Sequence, residues 1–181
     1  MKLNISILTV LATLIVFAVF STAEDQQYVL FKSMKYGYSM DIPLGFKMDG
    51  KEGKFTSWSF NPGQGEEDCG TVVPMVSVIT TEIPRRYSTK TYYLNKLNGL
   101  KALMEEPDST LDDLETIEFP GGYGIMVKDV IKDDPQAVNH WFVHFYGNNM
   151  DYFIDISGSY SYLKDNRGVF KHVVESFALL R

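Results

Sequence analysis

Val138–Ser157 reads VNHWFVHFYGNNMDYFIDIS, two aromatic-rich runs that meet at Gly147-Asn148-Asn149. Val, Phe, Trp, Tyr and Ile suit a pleated, half-buried surface. Asn tolerates positive φ, which a two-residue primed turn requires. With Asn148 and Asn149 at the centre of the turn, Tyr146 faces Asp151, Phe145 faces Tyr152 and His144 faces Phe153. Further out, Val143 faces Ile154, Phe142 faces Asp155, Trp141 faces Ile156 and His140 faces Ser157. Side chains alternate along a strand. One face is therefore Trp141, Val143, Phe145, Tyr152, Ile154 and Ile156, a core face. The other carries His140, Phe142, His144, Tyr146, Asp151, Phe153, Asp155 and Ser157. A slip of one residue would scramble both sets, so the sorting itself argues for this register. Aromatics on both faces predict a central hairpin with cover on each side.

Outward from the hairpin, the chain reads as an alternation of short strands with two helical stretches. Tyr28–Ser33, Tyr38–Ile42, Phe55–Phe60 and Val72–Thr81 have strand composition, and Pro43 and Pro74 mark strand limits. Leu44–Gly53 reads as loop. Over Ser88–Glu106 the period changes: Tyr93, Leu97, Leu100 and Met104 recur at helical spacing, with Leu94 and Leu103 beside them. Ser88 suits the N-cap and Pro107 ends the run. Gly99 weakens such a helix by roughly 1 kcal/mol relative to alanine and suits a close approach to a sheet. Leu114–Phe119 and Tyr123–Ile131 follow as strands around Pro120-Gly121-Gly122. Leu163–Phe177 places Leu163, Phe170, Val173, Val174 and Phe177 on one helical face, with Asp165 or Asn166 as cap. Four strands, a helix, four strands and a helix give no repeating strand–helix unit. That excludes a doubly wound parallel sheet and predicts an α+β fold, a largely antiparallel sheet flanked by helices.

The beginning of the 181-residue chain reads differently. Lys2 precedes the apolar run Ile5–Phe20, and Ser21-Thr22-Ala23 offers small residues for a cut after Ala23, the pattern of a secretory signal peptide over residues 1–23. The alternative is an uncleaved anchor through residues 5–20, a little short for a span of roughly 20 residues. Residues 24–181 then form a single domain, periplasmic or secreted. The net charge of −6 for the whole chain becomes −7 once Lys2 is removed, which leaves no electrostatic case for nucleic acid. The lone Cys69 excludes an internal disulfide and lies too far from the cut to anchor a lipoprotein. No Asn-x-Ser/Thr triplet occurs after residue 23.

Two short motifs complete the layout. A tyrosine-bearing strand runs into DIPLGFKM (Asp41–Met48), and an amphipathic stretch ends in VVESF (Val173–Phe177). With the mid-chain helix between them, the whole of Tyr28–Phe177 resembles the PsbP/Mog-like superfamily. The resemblance implies an antiparallel sheet sandwiched by helices, and a binding or accessory role rather than catalysis. It carries no functional residue across.

The residues themselves offer one candidate site. His140 and His144 share a strand face with Asp151, Asp155 and Tyr146, and the carboxylates lie diagonal to the histidines across the hairpin. Histidine with carboxylate partners occurs in metal and acid–base sites. It equally occurs as plain hydrogen-bonded packing, and this histidine spacing on a strand matches no metal motif. Glu66-Glu67-Asp68 with Gln64 offers oxygen ligands but not the spacing of a calcium loop. Arg85-Arg86 reads as surface. No nucleophile elbow, phosphate loop or dinucleotide fingerprint is present, and no cofactor or metal is called for. The expectation is an exported, non-enzymatic binding or accessory protein that engages a protein partner or small ligand. The alternative is a metal-dependent or hydrolytic enzyme using His140, His144 and Asp155.

Overall fold

The structure, a computed structural model, describes residues 27–60, 72–132, 134 and 136–180. The signal-peptide reading and the acidic run from Gln64 to Cys69 lie outside the described residues. No helix among the described residues is long and apolar enough to cross a membrane.

The hairpin forms as β8 (Asn139–Gly147) and β9 (Met150–Gly158), and its register is the expected one from His140↔Ser157 to Tyr146↔Asp151. Asn148 and Asn149 have φ of 49° and 60°, so the primed turn is real. Earlier in the chain lie β1 (Tyr28–Ser33), β2 (Tyr38–Pro43), β3 (Phe46–Asp49), β4 (Phe55–Phe60) and β5 (Met75–Glu82). Helix α1 (Thr89–Met104) follows, then β6 (Leu111–Phe119) and β7 (Gly122–Asp129). The chain continues after the hairpin with α2 (Tyr160–Asp165), α3 (Arg167–Glu175) and β10 (Ala178–Leu179). Seven strands make one antiparallel sheet in the order β3-β4-β5-β9-β8-β7-β6, with the hairpin at its middle. A small sheet, β1-β2-β10, packs over it.

Trp141, Val143, Phe145, Tyr152, Ile154 and Ile156 are all buried, as the alternation requires. They meet Tyr38, Met40 and Ile42 of β2 and Phe170, Val173, Val174 and Phe177 of the α3 region in one continuous core. The opposite face is covered at one end by α1, whose Leu97 packs with Ile83, Ile125 and Tyr146. Ser88 caps α1 as expected, its hydroxyl accepting from the Thr91 amide. Arg85 and Arg86 are exposed, and the Arg86 guanidinium lies over Tyr87.

Four expectations need correction. Leu44–Gly53 is not all loop: Phe46–Asp49 pairs with β4 and covers its outer edge. The single helix over Leu163–Phe177 is instead α2, α3 and β10. Ser159 caps a start at Tyr160 by accepting from Tyr162 N–H. The helix then breaks at Asn166 (φ −101°, ψ 20°), whose side-chain amide donates to the Tyr162 carbonyl. The same carbonyl accepts the Asn166 backbone N–H, and Asn166 makes no side-chain cap for α3. Gly99 serves no close approach, since a Cβ there would meet nothing within 4 Å. Finally, β6 begins at Leu111 rather than Leu114, with a bulge between Asp112 and Glu115.

Candidate functional site

The hairpin places the five expected residues on one sheet face, and the side chains sort into two separate pairs. His140 Nδ1 lies 2.9 Å from Asp155 Oδ1, and His144 Nδ1 lies 2.9 Å from Asp151 Oδ1. Both pairs use the same diagonal across the hairpin. Right-handed twist brings one diagonal of an antiparallel pair closer than the other. The pairs are mostly buried: side-chain exposure is 26% and 17% for His140 and Asp155, and 17% and 8% for His144 and Asp151. His140 stacks on Phe142 at 5.0 Å, and His144 lies 4.6 Å from Phe153. Tyr146 is buried under α1 against Tyr92 and Tyr93, and its hydroxyl meets no hydrogen-bond partner among the described residues.

This geometry does not assemble the triad His140, His144 and Asp155. The two histidines stand four residues apart on a strand, about 13 Å at the usual rise, whereas zinc holds its nitrogens at about 2.1 Å. His144 is committed to Asp151 instead of Asp155. Among the described residues, no three His, Cys, Asp or Glu side chains gather as a metal-ligand group. The remaining histidine behaves the same way: His172 Nε2 lies 2.9 Å from Asp41 Oδ2, tying α3 to β2. All three histidines of the chain are thus joined to an aspartate, which is the pattern of hydrogen-bonded structural ties.

The Asp155 hydrogen bond raises the His140 pKa above its ordinary value; burial opposes this, and the charges of Asp155 and Asp129 reinforce it. A raised folded-state pKa stabilises the fold fully below the unfolded value near 6.5 and loses that contribution as pH rises through the folded value. Urea unfolding of the wild type against Asp155→Asn between about pH 5.5 and 8.5 should therefore show the gap between the two narrowing as pH rises. A constant gap would remove the linkage.

Around these pairs the outer face stays partly open. Phe55, Ile79, Phe153, His144 and Ile125 form one row across five strands. Helix α1 covers the Ile125 end, while Phe55 at the far end is 54% exposed.

A second feature was not read from the sequence. Between the inner face at β6–β8 and helices α2 and α3 runs a cleft of about 370 Å³ that reaches Lys128, Trp141, Arg167 and Lys164. It continues into a smaller recess of about 150 Å³ floored by Met126 and Ile117. Lys128 points inward from β7, its ammonium paired with Asp113 and lying over the Trp141 ring. Asp113 adopts φ 57° at the β6 bulge, and bulges re-aim side chains in this way. The Lys128 hydrogen bond, more than its charge and that of Arg167, holds the Asp113 carboxyl below its ordinary value. The available signal was Lys128 itself, a lysine at the core-facing parity of YGIMVKDVI.

No protein-family model matches the chain, and no curated protein matches it by sequence. Solved structures do match in shape. Cyanobacterial PsbP (CyanoP) from Synechocystis sp. PCC 6803 is 17% identical with a TM-score of 0.55, over 84% of this chain and 92% of that one. The Ran-binding protein Mog1p of Saccharomyces cerevisiae is 13% identical with a TM-score of 0.53, over 84% and 95%. A Pseudomonas aeruginosa protein of unknown function is 9% identical with a TM-score of 0.51, over 86% and 98%. At these identities the likeness is one of fold. The chain has the PsbP/Mog-like α+β architecture.

Proposed function

We propose that this chain is an exported, non-enzymatic binding or accessory protein that engages a protein partner through the open part of its outer sheet face. The observation that carries this reading is the row Phe55–Ile79–Phe153, apolar and reaching the surface beside two His–Asp pairs whose hydrogen bonds are already internal. Aromatic side chains at the centre of a patch, rimmed by polar groups, are the usual anchors of a protein interface. A convergent, water-excluding catalytic centre would need polar groups aimed at one point, and here each histidine turns to its own aspartate. Mog1p is named for binding Ran, which supports the same kind of role by analogy of fold alone. Export rests on Lys2, the apolar run Ile5–Phe20 and the small residues before Glu24. Retained instead of cut, that segment makes the protein membrane-anchored.

The test is capture of a cross-linked partner from the cell envelope by the tagged full chain, beside a Phe55→Asp/Phe153→Ser double variant of unchanged thermal stability. One species should be recovered with the wild type and fall by roughly tenfold with the variant, equivalent to one factor of ten in affinity. Equal recovery with both proteins overturns the surface. Turnover of a hydrolytic substrate that Asp155→Asn abolishes overturns the non-enzymatic reading.

A further inference from the structure

The inner cleft is a separate site on the other side of the sheet, and its chemistry points to a ligand of a different kind. We infer that the cleft between β6–β8 and helices α2–α3 binds a small organic monocarboxylate, its charge held by Arg167 and Lys128 and its apolar body laid against Trp141 and Met126.

Lys128 is the anchor. Its side chain is 11% exposed, and lysine is almost never so buried without partners. Its ammonium has three donors, and among the described residues only one is used, in the bond to Asp113. The other two have no acceptor among the described residues. Arg167 borders both the main cleft and the recess, as Lys128 and Trp141 do, and makes no ion pair or side-chain hydrogen bond among the described residues. A guanidinium fork with free donors beside a partly satisfied ammonium is the arrangement that receives a carboxylate.

The charge balance selects the size of the anion. Lys128, Lys132, Lys164, Arg167 and Lys171 border the two spaces, and so do Asp112, Asp113, Asp129, Glu115 and Glu175. Asp113 pairs with Lys128 through one of its donors, and Glu175 lies 3.5 Å from Lys171. A dianionic phosphate would meet as many carboxylates as cations. A single carboxylate needs only the Arg167 fork and the remaining Lys128 donors. The apolar floor of Trp141, Met126 and Ile117 then gives the body of the ligand somewhere to be buried, and about 370 Å³ lies within the range of small-molecule pockets.

The chain has two tryptophans, and this makes a direct test. Trp141 lies in the cleft, whereas Trp58 sits on β4, three strands away in the sheet order. In the ¹⁵N-labelled full-length chain, phenylacetate at millimolar concentration should shift the Trp141 indole N–H saturably and leave that of Trp58 in place. Arg167→Gln, at an exposed helix start, should keep the fold and weaken binding by roughly tenfold, as expected for losing one charge-assisted contact. Benzyl alcohol, the neutral analogue, should give no saturable shift. The inference is overturned if benzyl alcohol binds equally, if inorganic phosphate binds as well as phenylacetate, if Arg167→Gln binds unchanged, or if no titration saturates.

Discussion

Phe145→Ala should destabilise the protein by about 3–5 kcal/mol, the usual range for emptying a buried phenylalanine site. Phe145 is 1% exposed and belongs to the middle strand pair. Its ring stacks on Phe177 at 4.2 Å and meets Phe119 edge-on at 5.0 Å. One contact comes from just past α3 and one from the end of β6, and those two rings also meet each other edge-on at 5.9 Å. Phe119 is held in the pairing of β6 with β7, and Phe177 also packs on Tyr38 and Tyr152, so neither ring is free to fill the hole. Folded domains are stable by only about 5–15 kcal/mol, so a large share of the total is at stake. Thermal unfolding followed by near-ultraviolet dichroism, which reports the aromatic core, should show a midpoint lowered by roughly 10 °C or more. A shift of only a degree or two would mean that the Phe119–Phe145–Phe177 stack does not carry the core.

Gly122→Ala should be nearly as damaging, for the opposite reason. Gly122 sits between Phe119 and Gly147 in the pairing of β7 with its two neighbours. A methyl group there would overlap the Tyr146 carbonyl oxygen and stand 2.5 Å from Phe119 Cζ. The phenyl ring can swing aside, but the carbonyl belongs to a strand held on both sides. Forcing backbone apart in a packed sheet costs about 1–3 kcal/mol, and the central position of β8 argues for the upper end. Urea unfolding of Gly122→Ala measures it directly, with Gly99→Ala as the control on an exposed helix where a Cβ meets open space. If both variants lose stability equally, crowding at Gly122 is not the cause.

How far the molecule can be read from its sequence differs by element, and the reasons are physical. The register of β8 with β9 was legible because a period of two sorts fourteen residues into a core face and a mixed face, and because Asn148-Asn149 accepts positive φ. The four residues of β3 were not. They are largely exposed, so no burial pattern marks them, and only the open edge of β4 makes them a strand. The break at Asn166 is a change of backbone dihedrals at one residue, which periodicity cannot register. The site shows the same divide. That His140, His144, Asp151 and Asp155 share a face follows from alternation. Asp155 faces Phe142, so it has a histidine on each diagonal, and the twist of the finished sheet decides between them. The cleft was hidden more deeply, because Asp113 reaches Lys128 through a bulge and Arg167 reaches it through a broken helix.

Strand β2 gives Tyr38, Met40 and Ile42 to the core and pairs early with β1, yet what closes its other edge arrives late. The Asp41 amide donates to Ser176 Oγ, 135 residues further along, and Ala178 and Leu179 pair with Ser39 and Tyr38. Phe177 fills the space between Tyr38 and Phe145. On the ribosome, β1 and β2 can pair with each other, but the core face they present has nothing to close against. Contacts of such long sequence separation form slowly and only after the loop between them is complete. A half-made copy stays open, and the sandwich shuts as a unit once the segment around Phe177 has emerged. Such a polypeptide can be threaded through a narrow channel for most of its synthesis, and it must be guarded from aggregation for the same interval.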